Sequence, residues 1–174
     1  WLDVPLGELL AQSDRLPHAL LITGRPGIGK TQLAERLVAA LLCEDHAPGT
    51  PACSRCPACD WVAQGNHPDL RRVTLADEST ERAEGGTKAR KPSLEIRVDQ
   101  VRGLAEFLAV GSHRGGRRVV LLHPADALNH VAANALLKSL EEPAPAVHFV
   151  LVSGQPQSLP ATILSRCQRR GGPP

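Results

Sequence analysis

Two clusters in this 174-residue chain have residue types and spacing suited to chemistry. The first, Gly24-Arg25-Pro26-Gly27-Ile28-Gly29-Lys30-Thr31, fits the pattern G-x-x-x-x-G-K-[ST] without a gap. Glycines at these places let backbone N–H groups turn inward onto phosphate oxygens. Lys30 then sets a point charge beside the β- and γ-phosphates, and the Thr31 hydroxyl is a ligand for Mg²⁺. No Asn-Lys-x-Asp segment follows a later strand, so ATP is favoured over a guanine nucleotide. A Gly-rich strand-to-helix turn that binds nothing is the plain alternative; the intact Lys-Thr pair argues against it.

The second cluster is Cys43-x9-Cys53-x2-Cys56-x2-Cys59, four thiols in a Pro- and Gly-rich stretch. Two tight C-x-x-C steps suit tetrahedral Zn²⁺, and four thiolate ligands leave no open position, so such a metal is structural. Four free thiols are the alternative. A redox C-x-x-C needs only two of them, and a disulfide framework belongs to secreted chains. Cys167 stands apart and reads as a core residue at the start of a strand.

A third feature is an absence. Hydrolysing proteins with this loop place an Asp at the end of a neighbouring strand to hold Mg²⁺, and many add a Glu that polarises the attacking water. Here the apolar run 119–122 ends in His123-Pro124. A neutral imidazole is a poor ligand for Mg²⁺, and proline has no side-chain acceptor. Asp126 is the nearest carboxylate, beyond the break that Pro124 imposes, and serves only if the loop curls back. The expectation is ATP binding with Mg²⁺ weak or absent and poor turnover; an active ATPase using Asp126 or Glu141 is the alternative.

These residues need a scaffold. Residues 19–22, 119–122 and 149–152 are continuously apolar, as in strands buried on both faces, and Leu70, Val73 and Leu75 make a weaker strand. A helical stripe runs over 31–42 through Leu33, Leu37 and Leu41. Asp99 is expected to cap a helix bearing Val101, Leu104 and Leu108. Asn129 is expected to open another bearing Ala133, Leu136, Leu137 and Leu140 that stops before Pro143. Strands alternating with helices predict a doubly wound α/β domain with a mostly parallel sheet, interrupted by the cysteine insertion at 43–59 and a polar loop at 77–93.

At 42% hydrophobic the chain is long enough for one substantial core. A net charge of +2 gives no field argument for nucleic acid, and two Trp, two Phe and no Tyr leave few stacking platforms for bases. No apolar run approaches a membrane span and no leader is visible, so a cytoplasmic protein is expected, and the missing initiator Met and abrupt end suggest a piece of a longer one. His18 and His148, beside buried strands, read as packed or surface histidines.

Taken together, the sequence resembles the clamp-loader branch of the AAA+ ATPases, and within it most closely the delta-prime family of bacterial DNA polymerase III. The likeness runs through "HALLITGRPGIGKT", the four-cysteine insertion, "NHPDL", "AANALLKSLEEP" and "FVLVSGQPQSLPATILSRC", covering nearly the whole chain. It implies that residues 1–174 form a five-stranded nucleotide-binding domain with a zinc-binding insertion at 43–59, of a kind normally followed by a lid and a collar. It further implies a place as the rigid stator beside delta and the motor gamma/tau subunits, in an open ring that loads the sliding clamp onto primed DNA. Arg166, in Ser165-Arg166-Cys167, would then reach ATP on the adjacent subunit as an arginine finger. Ser153 aligns with the polar residue that senses γ-phosphate in related motors. Without the resemblance, Arg166 reads as an exposed or ion-paired arginine at a strand start and Ser153 as a strand cap. The main alternative within the family is an ATP-hydrolysing gamma/tau motor, although motors carry acids where this chain has His123-Pro124. More distant are a small-molecule kinase using Arg82, Lys88 and Arg90, and a DNA-binding module using Arg114, Arg117 and Arg118 in the loop before the third strand.

Overall fold

Continuous apolar runs can satisfy their backbone groups only inside a sheet covered on both faces, and the chain does this. In the computed structural model, which describes residues 2–45, 47, 49–75, 94–114 and 116–171, five strands form one parallel sheet. They are β1 (Ala19–Thr23), β2 (Leu70–Val73), β3 (Arg118–Leu122), β4 (Val147–Ser153) and β5 (Gln168–Gly171), in the order β2-β3-β4-β1-β5. Register is set by apolar pairs in the centre: Leu21 lies opposite Leu151, which lies opposite Leu122.

The period-2 alternation of strand side chains divides the core in two. Leu20, Ile22, Val119, Leu121, Val150 and Val152 point to one face, where helices α1 (Asp3–Ala11) and α2 (Lys30–Leu42) cover them with Leu10, Leu33 and Leu37. Leu21, Val120, Leu122, Phe149 and Leu151 point to the other. There α4 (Val98–Ala109), α5 (His130–Glu141) and α6 (Ala161–Arg166) supply Leu104, Leu136, Leu140 and Ile163. Helix α3 (Pro57–Gln64) rises from the cysteine segment and adds Val62 to the first face. The doubly wound expectation is met, and the sheet is wholly parallel.

Asn129 caps α5 as expected, its side chain accepting from the Ala132 N–H at 2.8 Å. Three expectations change. Asp99 does not cap α4: the helix begins two residues earlier, with Arg97 as its cap residue and the Gln100 side chain accepting from the Arg97 N–H at 2.9 Å, while Asp99 sits in the first turn, where its charge favours the helix dipole. Leu75 lies past the end of β2 and packs partly against the core. Arg166 ends helix α6 and is not at a strand start; the buried Cys167 separates it from β5. The polar loop at 77–93, with Arg82, Lys88 and Arg90, lies outside the described residues.

The "NHPDL" segment has a structural role. Asp69, 1% exposed, accepts from the His113 N–H (2.8 Å), the Arg114 N–H (3.1 Å) and the Ser112 hydroxyl (3.0 Å), which ties the turn before β3 to the start of β2.

Candidate functional site

The phosphate loop sits where the pattern requires it, between the end of β1 and the first turn of α2. Gly27 and Gly29 have φ of +81° and +86°, left-handed values that side chains disfavour, so the pattern's glycines are required by the backbone. Lys30 is buried, and its ammonium donates to the Arg25 carbonyl at 2.6 Å, folding over the loop. Beside it opens a cavity of about 440 Å³ lined by Gly27, Gly29, Lys30, Thr31, His123 and Asp126 among others.

Two elements deliver the opposite wall. β3 ends at Leu122, and His123 places Nε2 3.0 Å from Thr31 Oγ1, on the hydroxyl assigned to the metal. Burial lowers the His123 pKa, Lys30 adds to this and Asp126 opposes it, which favours a neutral ring. After Pro124 a 3₁₀ turn (Ala125–Ala127) does curl back and brings Asp126 to the cavity wall at the end of β4. There its Oδ1 accepts from the Ser153 hydroxyl (2.6 Å) and the Gly154 N–H (2.9 Å). Burial pushes this carboxyl up, but the hydrogen bonds outweigh it and hold the pKa below 3.8. Asp126 is therefore ionised and engaged.

Ser153 is fully buried; its oxygen also accepts from the Gln155 N–H at 3.1 Å. Thr31 with His123, and Asp126 with the buried Ser153 behind it, thus form two hydrogen-bonded pairs at the cavity. The divalent ion such loops pair with does not fit this donor set: an imidazole nitrogen on the threonine hydroxyl, a proline, and a carboxylate oxygen with two donors on it. Glu141, the other carboxylate considered, lies at the end of α5 and is not among the cavity's lining residues. Sequence reasoning missed the Asp126–Ser153 pair; the signal available was the Ser closing a buried strand, which gave no hint of its partner.

The four cysteines converge. Their sulfurs all lie within 4.8 Å of one another, with Cys43–Cys56 and Cys53–Cys59 both at 3.9 Å. A tetrahedral ion with Zn–S bonds of about 2.3 Å sets sulfur–sulfur edges near 3.8 Å, roughly what is found. Local structure explains the placement: Cys43 follows the last turn of α2, Cys56 is the cap residue of α3, Pro57 starts that helix, and Cys59 falls in its first turn. Burial raises the Cys56 thiol, but the N–H groups of Cys59 and Glu44 and neighbouring thiols prevail and lower it to about 6; burial and Cys56 push Cys59 up to about 12. These directions describe one thiolate stabilised among its neighbours. Cys167 lies outside the cluster, its thiol pushed by burial to about 11.

Arg166 is half exposed and donates to Glu141 Oε1 at 3.1 Å. The arginines considered for DNA are engaged elsewhere: Arg114 pairs with Glu44, Arg117 donates to the Ser13 carbonyl (3.0 Å) and to Asp14 (3.2 Å), and Arg118 is a buried strand residue, not a loop residue, donating to the Phe107, Leu108 and Val110 carbonyls. His148 Nδ1 lies 3.2 Å from the Pro17 carbonyl and His18 Nε2 is buried, so both are packed. Among the described residues no helix is long and apolar enough to cross a membrane.

Comparison with known proteins matches residues 8–170 to the family described as DNA polymerase III, delta subunit. DNA polymerase III subunit delta' of Pseudomonas aeruginosa is 47% identical over 156 residues, covering 90% of this chain and 43% of the relative. The Escherichia coli subunit delta' is 38% identical over 170 residues, covering 97% and 46%. Subunit tau of E. coli is 35% identical over 153 residues, covering 88% and 21%. A DNA polymerase III gamma subunit-related protein from Thermotoga maritima shares the fold, with a TM-score of 0.66 at 21% identity over 97% of this chain and 46% of that one. The chain thus spans less than half the length of the curated relatives it matches.

Proposed function

The chain belongs to the delta-prime family of DNA polymerase III, and from that premise we propose that it is the nucleotide-binding domain of a clamp-loader stator, which holds ATP without hydrolysing it efficiently and acts chemically on a neighbour. The observation that carries this reading is the pairing of an intact phosphate loop with a β3 end that offers His123-Pro124 in place of acids. Lys30 and the loop N–H groups bind phosphates, and the one carboxylate lining the cavity among the described residues, Asp126, has Oδ1 engaged by Ser153 and Gly154.

The partners are delta and the motor gamma/tau subunits, and through them the sliding clamp and primed DNA. Arg166 is the group offered in trans. It stands at the end of α6, half exposed, held among the described residues to a half-exposed carboxylate, an arrangement that a neighbour's γ-phosphate can outcompete because a guanidinium binds phosphate bidentately. Cys43, Cys53, Cys56 and Cys59 hold a structural Zn²⁺ that fastens the insertion to α2 and α3. In a reconstituted loader, Arg166→Ala is expected to suppress the DNA-stimulated ATPase of the adjacent motor while assembly survives; unchanged turnover removes the trans role.

A second reading, the motor subunit itself, is favoured by the likeness to tau and by the presence of Asp126 on the cavity wall. It requires motor-like ATP hydrolysis by this subunit alone, lost on Lys30→Ala.

A further inference from the structure

The anion-binding and cation-binding halves of the cavity beside the phosphate loop are unequal. The anion half is in place: the buried Lys30 ammonium, the left-handed glycines of the loop, and the first turn of the 13-residue helix α2. The cation half is not. Mg²⁺ requires oxygen ligands at about 2.0–2.1 Å in near-octahedral order. Thr31 Oγ1 has an imidazole nitrogen 3.0 Å away, within the space an ion bonded to that oxygen on that side would fill. Pro124 contributes no acceptor, and Asp126 Oδ1 already serves Ser153 and Gly154. Glu35, on the same helix as Lys30, is held in a two-point pair with Arg72 at 3.2 and 2.9 Å.

We propose that the loop takes ATP as the free polyphosphate anion and that the His123–Thr31 contact keeps Mg²⁺ out of the site. The inference rests on the reading that this cavity binds ATP at all. Its consequence reverses the usual dependence. Where a loop binds the Mg²⁺ complex, the ion tightens nucleotide binding; here the ion and the protein compete for the same free ATP, so adding Mg²⁺ weakens it by mass action. Lys30, which the Arg25 carbonyl holds at 2.6 Å, must swing onto the phosphates and becomes the main neutralising charge.

The test is the Kd of ATP for the purified, zinc-loaded protein in chelator-free buffer without Mg²⁺ and in excess MgCl₂, for the wild type and for His123→Asp. The wild type is expected to bind ATP about tenfold or more tightly without Mg²⁺ than with it. His123→Asp puts a hard oxygen ligand beside Thr31 and is expected to reverse that order, binding roughly tenfold more tightly with Mg²⁺ than without. Should that variant not fold, the wild-type pair of affinities still decides. ATP bound by the wild type only with Mg²⁺ overturns the inference and leaves the ATP reading intact. No binding in either buffer by folded protein overturns both.

Discussion

The cysteine centre and the phosphate cavity both gather polar side chains from distant parts of the chain, yet they use them in opposite ways. In the first, four sulfurs lie within 4.8 Å of one another, an arrangement that could hold one metal ion. In the second, each group has found an internal partner: Lys30 the Arg25 carbonyl, Thr31 His123, Asp126 Ser153. The cysteine cluster is largely buried. The cavity is open, but its polar groups are turned onto one another.

Breaking the cysteine centre is expected to have the largest effect. Cys59→Ser, or a strong chelator, should release zinc and lower the thermal midpoint. A loss of even about 3 kcal/mol moves Tm by roughly 6–12 °C in a domain of this size. Affinity for ATP should stay within about twofold, because no cysteine lines the phosphate cavity. A melting curve with metal analysis on the same sample, followed by an ATP titration, checks both halves.

Lys30→Ala comes next and acts on the other region alone. It removes one charge-assisted hydrogen bond to phosphate, worth about 1.5–3 kcal/mol, so ATP affinity should fall roughly 10- to 100-fold with little change in Tm. Calorimetric titration measures it.

Ser153→Ala probes the wall itself. The buried hydroxyl donates to Asp126 at 2.6 Å, and leaving that carboxylate short of a donor should cost about 1–3 kcal/mol of stability in denaturant unfolding. Asp126 has a depressed folded pKa, so its contribution is present above the ordinary value of 3.8 and is lost as pH falls through the folded one. Asp126→Asn should therefore flatten the part of the acid-stability curve below about pH 4.

The smallest effect belongs to Glu141→Gln. Its exposed pair with Arg166 is worth at most about 1 kcal/mol, so stability should hardly move, whereas a reconstituted loader should show the neighbour's ATPase unchanged or modestly raised as Arg166 is released. A fall in that ATPase would mean that Glu141 positions the arginine for its task.

The strands were legible because residues buried on both faces leave a continuous apolar run, and β1, β3 and β4 fall within two residues of where those runs lie. The phosphate loop and the four cysteines were legible because fixed spacing is itself the geometry. Helix α1 was missed because it stands alone at the start of the chain with its capping residue, Leu2, offering no side-chain acceptor. Helix α6 is only six residues long and begins after Pro160, which reads as a breaker although proline is tolerated at a helix start. The Asp126–Ser153 bond joins residues 27 positions apart, and no local pattern announces a contact that exists only once the loop after β3 is folded against the end of β4.

Most direct is a paired measurement on the purified protein: ATP bound at equilibrium without Mg²⁺, and ATP hydrolysed over the same period once Mg²⁺ is added. Nucleotide recovered intact from the protein, with turnover no faster than for Lys30→Ala, is the expected result. Sustained Mg²⁺-dependent hydrolysis that disappears with Lys30→Ala would contradict it and make this domain a motor.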